Sequence, residues 1–222
     1  ERMAGQSPEE WDAEDLNTVT GRHSHSHEPI HSKTAYGSQF SFDTRDGALE
    51  VSWENEGGFK HSLARGGLSN VWGSSMLPYR EKDIRDWPIR LADLEPHYRK
   101  IMEFVPCTRN HDALEEILPC YSTQENAIRL SMQGESLLAD LDGTAEALRR
   151  NGIVHGKARL AIRASTPHTH HCRYCTLCLS GCPYGLIYSS SHTLQEMINQ
   201  GEVDYRKDHY VEHLAPDADG VM

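Results

Sequence analysis

The sequence predicts a mixed fold of helices and strands, of the α/β or α+β class. Two segments carry apolar residues at helical spacing: residues 134–151, which Asn151-Gly152 closes, and residues 189–200. Two others carry the shorter apolar pattern of strands, residues 153–164 and residues 203–214. These patterns place both kinds of element in one chain, and no internal repeat accompanies them.

The N-terminal half contains fewer regular elements. Residues 1–35 are rich in Glu, Asp, Ser and His and predict irregular surface chain. Residues 36–60 alternate aromatic and apolar positions and predict a hairpin. Residues 82–104 predict a helix that is either broken in two or begins near Leu94, because Pro96 is best tolerated in a first turn.

Composition and charge limit the classes of partner. The chain has 222 residues, with 33 acidic against 22 basic side chains and a formal net charge of −11. An acidic surface repels the phosphate backbone, so nucleic acid is not an expected partner. No stretch approaches the roughly 20 apolar residues that a membrane helix needs, so no membrane span is expected.

The most specific motif is a loop with four cysteines in eleven residues. These are Cys172, Cys175, Cys178 and Cys182. Their spacing, C-x2-C-x2-C-x3-C-P, is the run that holds iron–sulfur clusters in bacterial ferredoxins. Thiolates two or three residues apart on a tight loop can converge on one soft metal centre. Because only Cys107 and Cys120 remain elsewhere, the sequence predicts at most one cluster.

Other interpretations of the cysteine loop stay open. A zinc-stabilised binding domain would use Cys172 and Cys175 with the histidines just upstream, although no second pair follows at the usual distance. A disulfide interpretation is weaker, because close-set cysteines bridge poorly with one another. A loop of inert cysteines is the remaining alternative. Crowded reduced thiols favour a cytoplasmic location, with export after cluster loading as the alternative.

A second motif is the glycine-rich stretch within residues 61–80. It contains Gly66-Gly67-Leu68-Ser69-Asn70-Val71-Trp72-Gly73, followed by Pro78-Tyr79. Paired glycines let a backbone approach a ligand closely, and consecutive exposed amides suit anionic groups. Taken alone, such a stretch is also compatible with a simple turn.

The two motifs together resemble the glucose–methanol–choline (GMC) flavoprotein oxidoreductases, in particular their branch of sugar oxidases and sugar dehydrogenases. The resemblance includes Asp86-Trp87-Pro88-Ile89 and the continuation Cys182-Pro183-Tyr184-Gly185, and it spans residues 60–105 and 165–222. It implies a partial FAD-binding fold in three parts. Residues 1–105 would belong to the FAD domain, residues 106–165 to the substrate domain, and residues 166–222 to the cysteine loop, a helix and strands returning to the FAD domain.

The resemblance also implies FAD bound beside the glycine-rich stretch. The implied contact residues are Arg65, Gly66, Gly67, Ser69, Asn70, Val71, Trp72 and Gly73. Val71 stands where some members carry the His that attaches FAD, so the FAD is expected to be non-covalent. Trp72 is expected mainly to pack.

Some sugar dehydrogenases of this family carry a three-iron cluster on C-x5-C-x3-C-P, a spacing that Cys172, Cys178 and Cys182 reproduce. Cys175 is an additional thiol inside it. A [3Fe–4S] cluster on three cysteines and a [4Fe–4S] cluster on four both fit.

The implied activity is oxidation of a CH–OH group in an alcohol or sugar by hydride transfer to the flavin. Electrons would pass to oxygen in an oxidase, or through the cluster to a cytochrome or quinone in a dehydrogenase, which the cysteine loop favours. The alternative is a ferredoxin-like electron-transfer module without flavin.

The family's G-x-G-x-x-G fingerprint and its catalytic histidine have no counterpart in the sequence. We therefore expect an internal fragment without the N-terminal Rossmann unit and the C-terminal catalytic segment, or one part of a split enzyme that other chains complete. In either case the catalytic residues are expected outside this chain, and the chain is expected to be inactive alone.

Overall fold

The computed structural model describes residues 2–21, 34–42, 61–164, 171–211, 213, 216–217 and 220–221. The α-helices within these ranges are α1 (Ala13–Thr20), α2 (Leu91–Ile101), α3 (Met132–Gly143), α4 (Ala145–Arg150) and α5 (Ser190–Gln200). Short 3₁₀ helices lie at Arg2–Gly5, Pro8–Glu10, Phe40–Phe42, Gly67–Asn70, Glu81–Asp83, Ala113–Glu116 and Cys178–Ser180. Two short strands, β1 (Pro216–Asp217) and β2 (Gly220–Val221), pair antiparallel.

The predicted α/β fold class is wrong. Helical residues make up 41% of the part that is described, and β1 and β2, of two residues each, form the largest sheet found there. Residues 153–164 make only isolated bridges, between Ser75 and Leu160 and between Ile162 and Ile187. Residues 203–211 form no strand, so the strand pattern at residues 203–214 is not confirmed in its described part. Of the strands expected within residues 166–222, the described ranges contain only β1 and β2.

The extended residues 158–164 form the centre of the molecule in place of a sheet. Ala161 is fully buried, and Ile162 and Ala164 are nearly so. Backbone hydrogen bonds join this segment to several distant segments: Met76 with Arg159, Thr108 with Leu160, Arg163 with Leu186, and Tyr188 with Ala161. Segments 74–76 and 186–188 each make two backbone hydrogen bonds to it, around a single bridge, and neither pairing continues into a ladder. The apolar pattern therefore marked a buried segment correctly but not a strand.

The prediction that residues 1–35 are irregular is also wrong in the described part. Met3, Trp11 and Val19 form a buried hydrophobic cluster, and Trp11 Nε1 donates to the Met3 carbonyl at 3.1 Å. The carboxylate of Asp12 caps the first turn of α1, and Gly21 ends the helix with a φ of 64°. Asp12 and Gly21 are typical start and stop signals, and they were available in the sequence.

The helix predicted at residues 189–200 is confirmed as α5, with Ser189 capping its start and Gly201 ending it. The helix predicted at residues 134–151 is confirmed but divided. Thr144 interrupts it between α3 and α4, and the hydroxyl of Thr144 bonds to the Asp140 carbonyl at 3.2 Å. Such back-bonding offers the backbone an alternative to a continuous helix.

The helix predicted within residues 82–104 is confirmed as α2, but Pro96 lies in its interior rather than in its first turn. The start at Leu91 is set by side chains that satisfy free amides. Asp93 accepts from the Arg90 N–H at 2.8 Å, and Glu81 accepts from the Leu91 N–H at 3.0 Å. These two bonds extend the helix in front of Pro96.

The hairpin predicted at residues 36–60 lies outside the described residues from position 43 onward. Its first part forms the 3₁₀ helix Phe40–Phe42. None of the helices that are described is long and apolar enough to cross a membrane, in agreement with the sequence.

The start of α3 offers a local test of helix capping. Ser131 Oγ accepts the Gly134 N–H at 3.1 Å. Replacing Ser131 by Ala removes this cap, which is worth about 1 kcal/mol, so amide exchange across α3 is expected to speed up about fivefold. Hydrogen exchange measured by mass spectrometry checks this. Ser136→Ala, in the middle of the same helix, is the matched control and is expected to leave the exchange rate nearly unchanged.

Candidate functional site

The glycine-rich stretch folds into a compact turn. Gly66 and Gly67 adopt left-handed φ values of 87° and 54°, and the 3₁₀ helix Gly67–Asn70 follows. The Asn70 side-chain amide donates to the carbonyls of Arg65 and Gly67, both at 2.9 Å. The turn is therefore closed by its own side chain, in a conformation that requires glycine at its start.

This turn packs directly on the first turn of α5. The Ser190 N–H donates to Ser69 Oγ at 2.9 Å, and the Ser190 hydroxyl donates to the Gly66 carbonyl at 3.1 Å. The Ser189 hydroxyl donates to Asn70 Oδ1 at 2.9 Å. These contacts join two segments that are 120 residues apart in the sequence.

Gly66 is also required by this packing. A Cβ on Gly66 would lie 2.8 Å from Ser191 Cβ and 2.9 Å from Ser189 Oγ, whereas a Cβ on Gly67 meets no atom within 4 Å. We expect Gly66→Ala to lower the free energy of unfolding by about 1–3 kcal/mol more than Gly67→Ala. Both variants place a Cβ on a residue with a left-handed φ, but only the Cβ at position 66 is overpacked. Urea denaturation of the two variants measures the difference; equal losses would contradict the packing.

A cavity of about 450 Å³ lies between the turn, α5 and the end of the cysteine loop. Arg65, Ser69 and Asn70 line it from the turn, and Gly181 and Cys182 line it from the cysteine loop. The structure thus brings the two sequence motifs to one cavity. Its size is within the range of roughly 300–1,000 Å³ that small-molecule sites occupy.

Two side chains on α5 add polar groups to the cavity. Gln195 Oε1 accepts from Arg65 Nη2 at 2.8 Å, and this guanidinium also donates to the Ser191 carbonyl at 3.2 Å. Partial burial, reinforced by the charge of Arg163, lowers the pKa of His192 below its ordinary value. The imidazole is therefore neutral near pH 7 and can accept a proton.

Five of the eight residues predicted to contact FAD lie outside the cavity lining: Gly66, Gly67, Val71, Trp72 and Gly73. The Trp72 indole donates to the Tyr188 carbonyl at 2.8 Å, and its ring is half-buried. This contact fits the packing role that the sequence indicated for Trp72.

The cysteine loop has a distinctive backbone. Tyr174 and Thr176 adopt left-handed φ values of 56° and 63°. The Tyr174 N–H donates to Cys172 Sγ at 3.4 Å, and the Leu186 N–H donates to Cys182 Sγ, also at 3.4 Å. Amide hydrogen bonds to sulfur stabilise thiolates, and they are among the interactions that tune sulfur-ligated metal centres.

Cys175 differs from the other three cysteines in its surroundings. It packs with Leu177 and Tyr184 against the hydrophobic cluster of Met3, Trp11 and Val19, whereas Cys182 lines the cavity and Cys178 is exposed. The packing of Cys175 against this cluster therefore distinguishes the extra thiol from the three that follow the C-x5-C-x3-C-P spacing.

The thiols of this loop lie close enough to influence one another. Burial and the charges of Cys182 and Cys172 raise the pKa of Cys175, and burial and the neighbouring thiolates likewise raise the pKa of Cys178. Across the ranges that the structure describes, however, no three side chains of His, Cys, Asp or Glu are grouped closely enough to hold a metal ion. The four cysteines as a cluster site therefore remain a prediction.

Sequence reasoning missed Tyr36, which closes the cavity from the N-terminal side. Its N–H donates to the Ser180 carbonyl at 2.7 Å, and its hydroxyl donates to the Cys182 carbonyl at 2.9 Å. Partial burial, and to a smaller extent the charge of Cys182, raises the pKa of Tyr36. The Tyr36-Gly37 turn, in which both residues have positive φ, is the one local signal, and it does not reveal a partner so distant in the chain.

No protein-family profile, curated protein or solved structure matches this chain. The candidate site is therefore interpreted from its own geometry and chemistry.

Proposed function

We propose that this chain contributes the cofactor cavity of an FAD-dependent oxidoreductase that oxidises the CH–OH group of an alcohol or sugar. One observation carries the proposal: the glycine-rich turn and the end of the cysteine loop, the two motifs behind the GMC resemblance, line the same cavity. Two motifs that formed only separate turns would not be expected to line the same cavity.

The residues around the cavity fit one part of FAD. The Arg65 guanidinium is held in place by Gln195, and a fixed guanidinium suits a phosphate group. The N-terminus of the eleven-residue helix α5 lies beside it and favours negative charge. FAD joins a flavin mononucleotide to an adenylate, and a cavity of about 450 Å³ matches one of these parts rather than both.

A bound flavin supplies the acceptor for a hydride. The chain's own residues would bind and orient the groups around it. Arg65 would hold an anionic group, and the Ser69 hydroxyl and the Asn70 carbonyl oxygen would present polar atoms to the cavity. His192, neutral near pH 7, would accept a proton from a hydroxyl group placed beside it.

The sulfur atoms of the cysteine loop are suitable ligands for an iron–sulfur cluster, and such a cluster would transfer electrons. Thiolates that accept amide hydrogen bonds suit an iron–sulfur cluster. The described side chains are not gathered as a ligand set. The same proposal includes a cytochrome or quinone acceptor, a cytoplasmic location, and completion of the enzyme by other chains.

Anaerobic purification followed by an absorption spectrum tests the proposed function. Flavin bands with a broad brown shoulder are expected for an oxidoreductase with a cluster. A brown shoulder without flavin would replace the proposal by the ferredoxin-like alternative. A colourless protein with stoichiometric zinc would overturn both redox interpretations.

A further inference from the structure

A pair of thiols outside the cysteine loop lies at a cavity that is also lined by Arg159. The sulfur atoms of Cys107 and Cys120 are 4.0 Å apart, although the residues are 13 positions apart in the chain. Both are free cysteines; Cys107 is buried, whereas Cys120 is partly exposed. A disulfide requires about 2.05 Å between sulfurs, so a shift of roughly 2 Å would join them.

The pair borders a cavity of about 250 Å³. Its other walls are mainly apolar and include Leu77, Tyr98, Ile101 and Tyr121. A small reactant in this cavity would meet Cys120 first, because Cys107 is only 2% exposed. The two thiols therefore have different access to a reactant, as an attacking and a resolving thiol require.

The surroundings also distinguish the two thiols electrostatically. The hydrogen bond with Cys107 lowers the pKa of Cys120 to about 6, and the Ser122 N–H and the charges of Arg159 and Arg109 contribute, while burial opposes them. The same hydrogen bond, together with burial, raises the pKa of Cys107. Cys120 is therefore the thiolate of the pair near neutral pH, and Cys107 keeps its proton.

We propose that Cys107 and Cys120 form a redox-active dithiol, in which Cys120 attacks a low-molecular-weight disulfide from the cavity and Cys107 resolves the product. In the first step the Cys120 thiolate bonds to one sulfur of the disulfide and releases the other as a thiolate. In the second step Cys107 loses its proton and attacks the Cys120 sulfur, which releases the second small thiolate. The protein dithiol is oxidised by two electrons, and the small disulfide is reduced to two thiols.

The resulting disulfide would close the loop that contains Asp112, the partner of the buried Arg159. Oxidation would thus constrain residues 107–120, whose Asp112 pairs with Arg159 in the buried segment 158–164. No third Cys, His, Asp or Glu joins this pair in a metal-binding group within the described ranges, so thiol chemistry rather than metal binding is inferred.

Glutathione disulfide is a suitable probe for the reduced, folded protein. Peptide mapping by mass spectrometry after its addition is expected to show a Cys107–Cys120 cross-link in the wild-type chain. In Cys107→Ser the reaction is expected to stop at a glutathione adduct on Cys120, and in Cys120→Ser Cys107 is expected to stay unmodified. The mapping separates this pair from the cysteine loop.

The rate provides a second measurement. At pH 6 the adduct on Cys120 of the folded Cys107→Ser chain is expected to form several-fold faster than in the same chain unfolded in urea, because the Ser122 N–H and the charges of Arg159 and Arg109 remain after the hydrogen bond with Cys107 is lost. At pH 6 the folded chain has a greater fraction of Cys120 as thiolate than the unfolded chain has. This gain exceeds the loss of nucleophilicity that accompanies a lower pKa. Absence of the Cys107–Cys120 cross-link in the wild-type chain would overturn the proposal. This outcome does not depend on whether Cys107→Ser folds. Equal rates in the folded and unfolded variant would overturn the role of Cys120.

Discussion

Replacing Asp112 by Asn is expected to lower the free energy of unfolding by about 3–5 kcal/mol, because it leaves a buried cation without its partner. Arg159 is 2% exposed. Its Nη2 donates to Asp112 Oδ1 at 2.7 Å, and its Nη1 donates to Asp112 Oδ2 at 2.9 Å. Such a bidentate pair between a buried guanidinium and a partly buried carboxylate is stronger than a surface ion pair.

Asp112 also organises the backbone around Arg159. Its carboxylate accepts the Lys157 N–H at 2.9 Å and the Leu114 N–H at 3.1 Å. Gly156 has no Cβ, which would otherwise lie 2.6 Å from Asp112 Cγ. The Asn variant keeps the shape of the side chain, but its NH2 group would face two of these donors, so the expected loss combines the missing charge with two lost hydrogen bonds.

The stabilisation by Asp112 has a defined pH dependence. Burial raises the pKa of Asp112, but hydrogen bonds from Arg159 and Lys157 outweigh burial and hold the pKa below its ordinary value of 3.8. A carboxylate with a lowered pKa stabilises the fold fully above its unfolded pKa. This contribution is expected to disappear as the pH falls through the lower folded pKa, and Asp112→Asn is expected to lack that change.

Urea denaturation at neutral pH measures the predicted loss. Asp204→Asn is the matched control, because Asp204 and Arg206 form an exposed ion pair, and its effect is expected to stay within about 1 kcal/mol. Replacing both partners, in Asp112→Leu with Arg159→Met, is expected to recover part of the stability. A loss for Asp112→Asn no larger than that of the control would contradict the buried pair.

The second large effect concerns iron. Replacing Cys178 by Ser is expected to remove most of the protein-bound iron, whereas Cys175→Ser is expected to retain it. Cys175 packs against the cluster of Met3, Trp11 and Val19, and Cys178 is exposed near Cys182 at the cavity. Three thiolates at the C-x5-C-x3-C-P spacing suffice for a three-iron cluster, as the GMC resemblance implied.

Iron per chain after anaerobic purification, together with the brown absorption, checks this pair of variants. Cys175→Ser is expected to cost stability instead, on the order of 1 kcal/mol, because it places a hydroxyl against an apolar cluster. Unchanged iron in Cys178→Ser would remove the cluster assignment. Equal iron loss in both variants would favour four ligands over three.

The sequence predicted elements whose signals are local. α5 has its cap at Ser189 and its stop at Gly201, and these residues act through neighbouring amides. Residues 153–164 were misassigned because an apolar run shows burial but not the neighbours that would form a ladder. α1 was missed because its apolar residues, including Val19, are few in a polar, eight-residue helix, although Asp12 and Gly21 mark its ends.

The residues of the candidate site also divide into those with a local sequence signal and those placed by long-range contacts. Arg65, Ser69, Asn70 and Cys182 belong to motifs, so the sequence identified them. Tyr36 and Gln195 join the cavity only through contacts that span the chain, and no spacing rule connects them to either motif. His192 was recognisable as titratable, but its place at the cavity depends on how α5 packs on the glycine-rich turn.

A titration with FAD tests the central claim, that the cavity between the two motifs is the cofactor site. Quenching of flavin fluorescence measures the dissociation constant for the wild type, for Arg65→Met and for the exposed control Arg206→Met. We expect Arg65→Met to bind FAD about tenfold more weakly, since it loses a charge-assisted contact, and the control to bind like the wild type. Equal binding by Arg65→Met and the wild type, or no binding by the wild type, would contradict the account.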